Sequence, residues 1–136
     1  MLEDPLFNKA LYLIIIIAIL HVTAITLEFY WTIWWFDVIM HFLGGIFIGM
    51  MGILMYRHFA EVRRLFAGRS PVFVAFAAAL GVGILWEVYE YFTGQTAATF
   101  LSYPLDTAKD LVMDSLGGIA AGVLVGRKKE NKEISN

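Results

Sequence analysis

Asp37, His41, Glu87, Glu90, Asp106, Asp110 and Asp114 interrupt stretches that otherwise read as membrane-spanning helices. An ionised side chain at mid-membrane costs about 2.5–3.5 kcal/mol even on the milder insertion scale. Six carboxylates on separate lipid-facing surfaces would compromise insertion, so the chain is predicted to turn them inward onto one shared site.

The remainder of the chain supports that membrane setting. Of its 136 residues 60% are hydrophobic and 16% charged, and the mean hydropathy is +0.71. Spans are predicted at about 10–30, 32–56, 71–92 and 105–126, each near the ~20 residues that cross ~30 Å of hydrocarbon. The expected fold is all-α, a polytopic four-transmembrane-helix bundle with short loops, in which residues 1–136 form a single transmembrane domain. A tight turn between the first two spans makes them an antiparallel hairpin, and Pro71 and Pro104 suit the first turns of the last two. A cleaved signal peptide is disfavoured for the first run, because Glu3 and Asp4 precede it and no small-residue cleavage site follows.

Orientation follows from lysine and arginine. Arg57, Arg63, Arg64 and Arg69 lie between the second and third spans, and Arg127, Lys128, Lys129 and Lys132 follow the fourth. The loop 57–70 and the tail 127–136 are therefore expected to be cytoplasmic, with both termini inside an inner (plasma) membrane. The stretch Thr93 to Tyr103 has no basic residue, and Tyr30, Trp31, Trp34 and Trp35 form an outer aromatic belt. Phe59, Val62, Leu65 and Phe66 recur among the arginines at helical spacing, which fits either a short helix on an anionic leaflet or a plain basic loop. The polar tail is expected to be disordered.

Within the spans the ionisable residues are ordered. Asp37 and His41 are four apart and share a helix face; Glu87 and Glu90 are three apart; Asp106, Asp110 and Asp114 form an i, i+4, i+8 ladder. Counted inward at 1.5 Å per residue, Asp37, Glu90 and Asp110 lie about 5–8 Å deep, and His41, Glu87 and Asp114 about 8–14 Å deep. Two matching tiers on three helices describe a polar cavity open to the outer face. Like charges in a low dielectric cannot all stay ionised and unpaired, so protons or metal ions must share the cavity.

The candidate ligands for a divalent metal ion are Asp37, His41, Glu87, Glu90, Asp110 and Asp114, with His41 and Glu87 as candidate catalytic bases. Hard cations such as magnesium take carboxylate oxygens, and a carboxylate and imidazole mixture also suits manganese or zinc. Simpler roles compete: Asp37 and Asp106 as helix caps, Glu90 solvated among headgroups, Lys109 paired to Glu90 or Asp106, and His21 bonded to a neighbouring helix, with Glu28 equally doubtful. Gly45-x-x-x-Gly49 and Gly118-x-x-x-Gly122-x-x-x-Gly126 are small-residue faces for close helix packing, or for a homodimer. With no cysteine, thiolate ligands and disulfides are excluded. No Gly-rich phosphate loop, HExxH or Ser-His-Asp pattern occurs, and nucleic acid is not an expected partner.

The pattern Asp37-x-x-x-His41-Phe42-x-x-Gly45, Trp86-Glu87-x-x-Glu90 and Asp106-Thr107-x-x-Asp110-x-x-x-Asp114-x-x-Gly117 resembles the YjdF-like bacterial inner-membrane proteins and, more distantly, the VanZ-like family. The resemblance spans roughly Trp34 to Gly126 and implies a common polar site. VanZ-like proteins are associated with glycopeptide resistance. Their usual Asn stands where this chain has Asp114, and their Arg ahead of the last acidic helix has no counterpart in Leu101 to Leu105, so a role that needs that Arg to grip an anion does not carry over.

Three functions fit these observations. The first is a metal-dependent hydrolase or transferase acting on membrane lipid or a lipid-linked substrate at the outer leaflet. The second is a proton-coupled or divalent-cation transporter using the same acids. The third is a small structural helper subunit whose polar cluster only locks helices together.

Overall fold

The computed structural model describes residues 1–94 and 102–134, apart from the side chains of 127–134. All of its regular structure is helical: α1 (Pro5–Thr26), α2 (Phe29–Thr32), α3 (Phe36–His58), α4 (Ala60–Leu65), α5 (Pro71–Thr93) and α6 (Tyr103–Ile134). Helices α1, α3 and α5 are each long and apolar enough to cross a membrane. The fourth long helix, α6, packs against α3 and α5, its apolar run broken by Asp106, Lys109, Asp110 and Asp114.

The helix starts follow local chemistry. Asp4 caps α1 by accepting from the Leu6 N–H at 2.9 Å, and Ser70 caps α5 by accepting from the Phe73 N–H at 3.2 Å. Pro5 and Pro71 occupy the first helical positions that these caps open, and Pro104 is the second residue of α6. At the end of α5, Gly94 takes the left-handed conformation (φ 65°) and returns its N–H to the Glu90 carbonyl.

Two boundaries differ from the sequence expectation. The first two spans are not joined by a tight turn at Trp31: α1 ends at Thr26, Glu28 adopts φ 57°, and the one-turn helix α2 intervenes before α3 begins at Phe36. Hydropathy hides this break, because Phe29, Tyr30, Trp31 and Ile33 are uncharged aromatic or aliphatic residues that continue the apolar runs on either side. Aromatic edge contacts seat the turn, with Phe29 and Tyr30 at 5.5 and 5.3 Å from Phe36 between ring centroids. The expected disordered tail is also partly replaced, since α6 continues to Ile134. Arginine, lysine and glutamate are good helix formers, and lengthening an existing helix avoids the cost of nucleation. Residues 95–101, most of the base-free segment assigned to the outer face, lie outside the described residues. The basic stretch after α3 contains the short helix α4.

Glycines set the helix directions and spacing. A Cβ on Gly45 would run into the Asp114 carbonyl, and one on Gly117 into the Phe42 carbonyl, so α3 and α6 touch backbone to backbone; contacts advance from Gly45 with Asp114 to Gly49 with Gly118 and Ala121, so the two helices run parallel. Gly118 faces Ala75 and Ala79, and Gly122 faces Val72, so α5 runs antiparallel to α6. Gly49 meets Ala121, Gly118 and Ala75 where the three helices converge. Gly45, Gly49, Gly118 and Gly122 are thus occupied within the chain, while an added Cβ on Gly126 has nothing within 4 Å. Helix α1 lies outside this trio and packs on α3 alone among the long helices.

The apolar core fills one half of the bundle. Met50, Ile53 and Leu54 of α3 join Leu6 and Ala10 of α1, Ala75 of α5 and Ala121 of α6 in one buried cluster. At that end Asp4 pairs with Arg57 at 3.3 Å and His58 at 3.4 Å, which ties the start of α1 to the end of α3. The other half of the bundle holds the acids.

Candidate functional site

His41 is the vertex of the polar half, 7% exposed and ringed by carboxylates from α3 and α6. Its Nδ1 lies 3.3 Å from Asp114 Oδ2, a hydrogen bond between buried side chains. On the other ring nitrogen, Nε2 lies 3.6 Å from Asp37 Oδ1 and 4.0 Å from Asp110 Oδ2. Asp37 and His41 meet because one helical turn separates them on α3. Asp110 and Asp114 arrive because Gly45 and Gly117 let α6 approach without side chains between.

Helix α5 completes the site. Gly83 leaves room for the Asp114 carboxylate, which a Cβ there would strike. One turn further, Glu87 is 6% exposed and its Oε2 accepts from the Thr107 hydroxyl at 2.7 Å, while the Tyr103 hydroxyl donates to the Glu87 carbonyl at 2.9 Å. Glu90 is half-buried and accepts from the Trp86 indole N–H at 2.8 Å. Donor atoms fall into two groups, Asp37 with His41 and Asp110, and His41 with Glu87 and Glu90, each within 4.8 Å of one another. The two depth tiers expected from the sequence therefore converge on one imidazole.

Lysine 109 is the local cation. Its ammonium lies 2.6 Å from Asp106 Oδ1, 3.4 Å from Asp110 Oδ1 and 3.8 Å from Asp37 Oδ2. It pairs with Asp106 as one sequence reading expected, and not with Glu90. The Asp110 contact is at ion-pair distance without hydrogen-bond alignment, so Asp110 Oδ1, like Glu87 Oε1, is buried with no hydrogen-bond partner among the described residues. Even with His41 protonated, two positive groups face six carboxylates.

The capping roles weighed for two aspartates are not those the structure gives them. Asp37 lies inside the first turn of α3, whose N-cap is Trp35, and Asp106 lies inside the first turn of α6, bound to Lys109. His21 does bond to a neighbouring element, its Nδ1 lying 2.8 Å from the Tyr30 hydroxyl of α2, and Glu28 sits at the turn between α1 and α2.

The sequence reading did not assign Tyr103 or Thr107 to the site, yet both hold Glu87. Their signal was available: at 100° per residue Thr107 projects within about 20° of Asp114, whereas the i, i+4, i+8 ladder drifts by about 80° from Asp106 to Asp114. Tyr103, Thr107, Asp110 and Asp114 form the inward face, and Asp106 turns toward Lys109.

No curated protein and no protein of solved structure matches the chain. Residues 4–131 match the family described as "Predicted membrane protein (DUF2238)". With membrane-length apolar helices around a buried His and Asp cluster and a match over nearly its whole length, the chain belongs to that family of multi-pass membrane proteins.

Proposed function

We propose that the cluster binds a divalent cation through His41 Nε2 and the carboxylates around it, and that it supports hydrolysis or group transfer on a lipid or lipid-linked substrate at the outer leaflet. The observation that carries this reading is the pair of buried carboxylate oxygens, Glu87 Oε1 and Asp110 Oδ1, without hydrogen-bond partners among the described residues. A cluster serving only to lock helices would leave such atoms satisfied, because an unpaired buried acceptor costs about 1–3 kcal/mol and more when charged. They belong to the same two donor groups that share His41.

The ring nitrogens divide the labour. Asp114 holds Nδ1 and so fixes the tautomer and orientation that leave Nε2 as a ligand, the arrangement that second-shell carboxylates give metal-bound histidines. Asp37, Asp110, Glu87 and Glu90 supply oxygen donors, a set suited to magnesium, manganese or zinc. A bound divalent cation supplies Lewis acidity and makes water acidic enough to attack near neutral pH. Thr107 occupies Glu87 Oε2, so Oε1 is the oxygen that would bind the cation or act as a general base beside it.

The outer position is supported by the arginines and lysines at the opposite end, the bias that cytoplasmic loops carry. Transport has less support: Leu6, Ile53, Leu54, Ala75 and Ala121 form an apolar core in the half of the bundle below the cluster, with no polar path for an ion among these described residues. The test is metal analysis of the purified protein, with hydrolysis of lipid and lipid-linked phosphates and esters assayed with and without a chelator. Bound metal and chelator-sensitive product release are expected; absence of both would overturn the proposal.

A further inference from the structure

We propose that a groove between α5 and α6 holds one acyl chain of a membrane lipid and leads it to the polar cluster. This rests on the lipid-substrate reading above and gives it a point of entry. The groove has a volume of about 300 Å³, with Ile84, Val88, Tyr91 and Phe92 on one wall and Leu111 on the other. The four α5 residues recur at helical spacing and are 47%, 48%, 61% and 81% exposed. They lie on a helix long and apolar enough to cross a membrane, so the medium that they face is hydrocarbon.

That medium decides the occupant. Water is retained in a cavity only where several polar groups hold it, and these walls offer almost none. A lipid tail fits them. Its gain is small, because lipid chains are as apolar as the groove, so the site selects the position of a chain and adds little affinity.

Position is what a reaction at the cluster needs. Glu87 and Thr107 line the groove between its Ile84 and Phe92 ends, and the same two residues share the 2.7 Å hydrogen bond at the edge of the site. The Glu87 carboxylate is grouped with His41 and Glu90. Glu87 thus belongs both to the groove wall and to the proposed ligands, so a lipid whose tail lies along α5 is held beside them. Holding a reactant in this way converts an encounter into an oriented contact.

The test uses the full chain in nanodiscs of phosphatidylcholine carrying a diazirine in one acyl chain, illuminated and mapped by peptide mass spectrometry. Label is expected to be severalfold higher on Val88, Phe92 and Leu111 than on Ile15, Ile16 and Ile19 of α1, which are 47%, 51% and 61% exposed and line no groove. Leu111→Trp and Ile84→Trp, each filling the groove, are expected to lower its labelling to the α1 level while leaving manganese binding in place. Equal labelling of both surfaces in the unaltered protein overturns the groove, whatever the metal affinity. Preferential labelling in a protein that binds no divalent ion supports the groove and overturns the metal reading alone.

Discussion

His41 Nδ1 and Asp114 Oδ2 lie 3.3 Å apart, and this bond joins α3 to α6 beside Gly45, where the two backbones touch. It also determines which ring nitrogen faces Asp37 and Asp110. Asp114→Asn keeps the shape and loses the charge that holds the imidazole in one tautomer. Manganese affinity, measured by electron paramagnetic resonance, is expected to fall about 10–100-fold with the helical content unchanged, the range found for second-shell partners. An unchanged affinity would show that Asp114 does not position the ligand.

Adjacent glycines on α3 separate packing from propensity. Gly44 has nothing within 4 Å of an added Cβ, whereas at Gly45 that atom meets the Asp114 carbonyl. Gly44→Ala is therefore expected to be neutral or to stabilise by up to about 1 kcal/mol, the helix preference of alanine. Gly45→Ala must push α6 away and is expected to cost about 1–3 kcal/mol, as overpacking does. Thermal unfolding of the two variants in one detergent decides it; equal midpoints would contradict the close contact of α3 and α6.

Much of this arrangement was legible from spacing alone, and what was not shares a physical cause. Helical periodicity placed Asp37 with His41, and the glycine faces correctly brought α3 against α6. The span at 71–92 matches α5 to within one residue, because Ser70, Pro71 and Gly94 carry the local signals for its ends. The break at Glu28 escaped notice since its neighbours are aromatic and hydropathy cannot tell a membrane-interface turn from a span. Gly83 and Gly117 went unread as contact residues, and Lys109 was not linked to Asp37, because those partners lie on other helices. A sequence records which residues share a face, but the rotation of each helix against the next emerges only from packing.

Asp4 gives a pH-dependent signal remote from the cluster. Partial burial pushes its carboxyl up, but the Leu6 N–H, His58 and Arg57 outweigh that and hold it below the ordinary carboxylate value. A lowered folded-state pKa contributes stability that is present above the unfolded value near 4 and is lost as pH falls through the folded one. Asp4→Asn keeps an oxygen to cap α1 and loses only the pairing; Asp4→Ala loses both and is expected to cost about 1 kcal/mol more. Unfolding midpoints between pH 6 and about pH 3 should show the wild-type advantage over Asp4→Asn shrinking with acid. An advantage independent of pH would reject the role of the charge.

Glu87 sets stability against binding. Its carboxylate is 6% exposed, Thr107 satisfies Oε2, and Oε1 has no hydrogen-bond partner among the described residues, beside other acids in the same small volume. Glu87→Gln removes the charge and keeps the size, so the metal-free protein is expected to become more stable by about 1–3 kcal/mol, the penalty of an unmet buried acceptor. The same change removes a proposed ligand. A cation at a hundredfold its dissociation constant adds about 2.7 kcal/mol to the unaltered protein, and tenfold weaker binding leaves about 1.4 kcal/mol at that concentration. The variant should therefore unfold at a higher temperature without manganese and gain much less from its addition. A purely structural Glu87 makes the opposite prediction, a less stable variant in both conditions with the manganese response intact, so unfolding scans of the two proteins with and without the ion discriminate between a binding site and a helix lock.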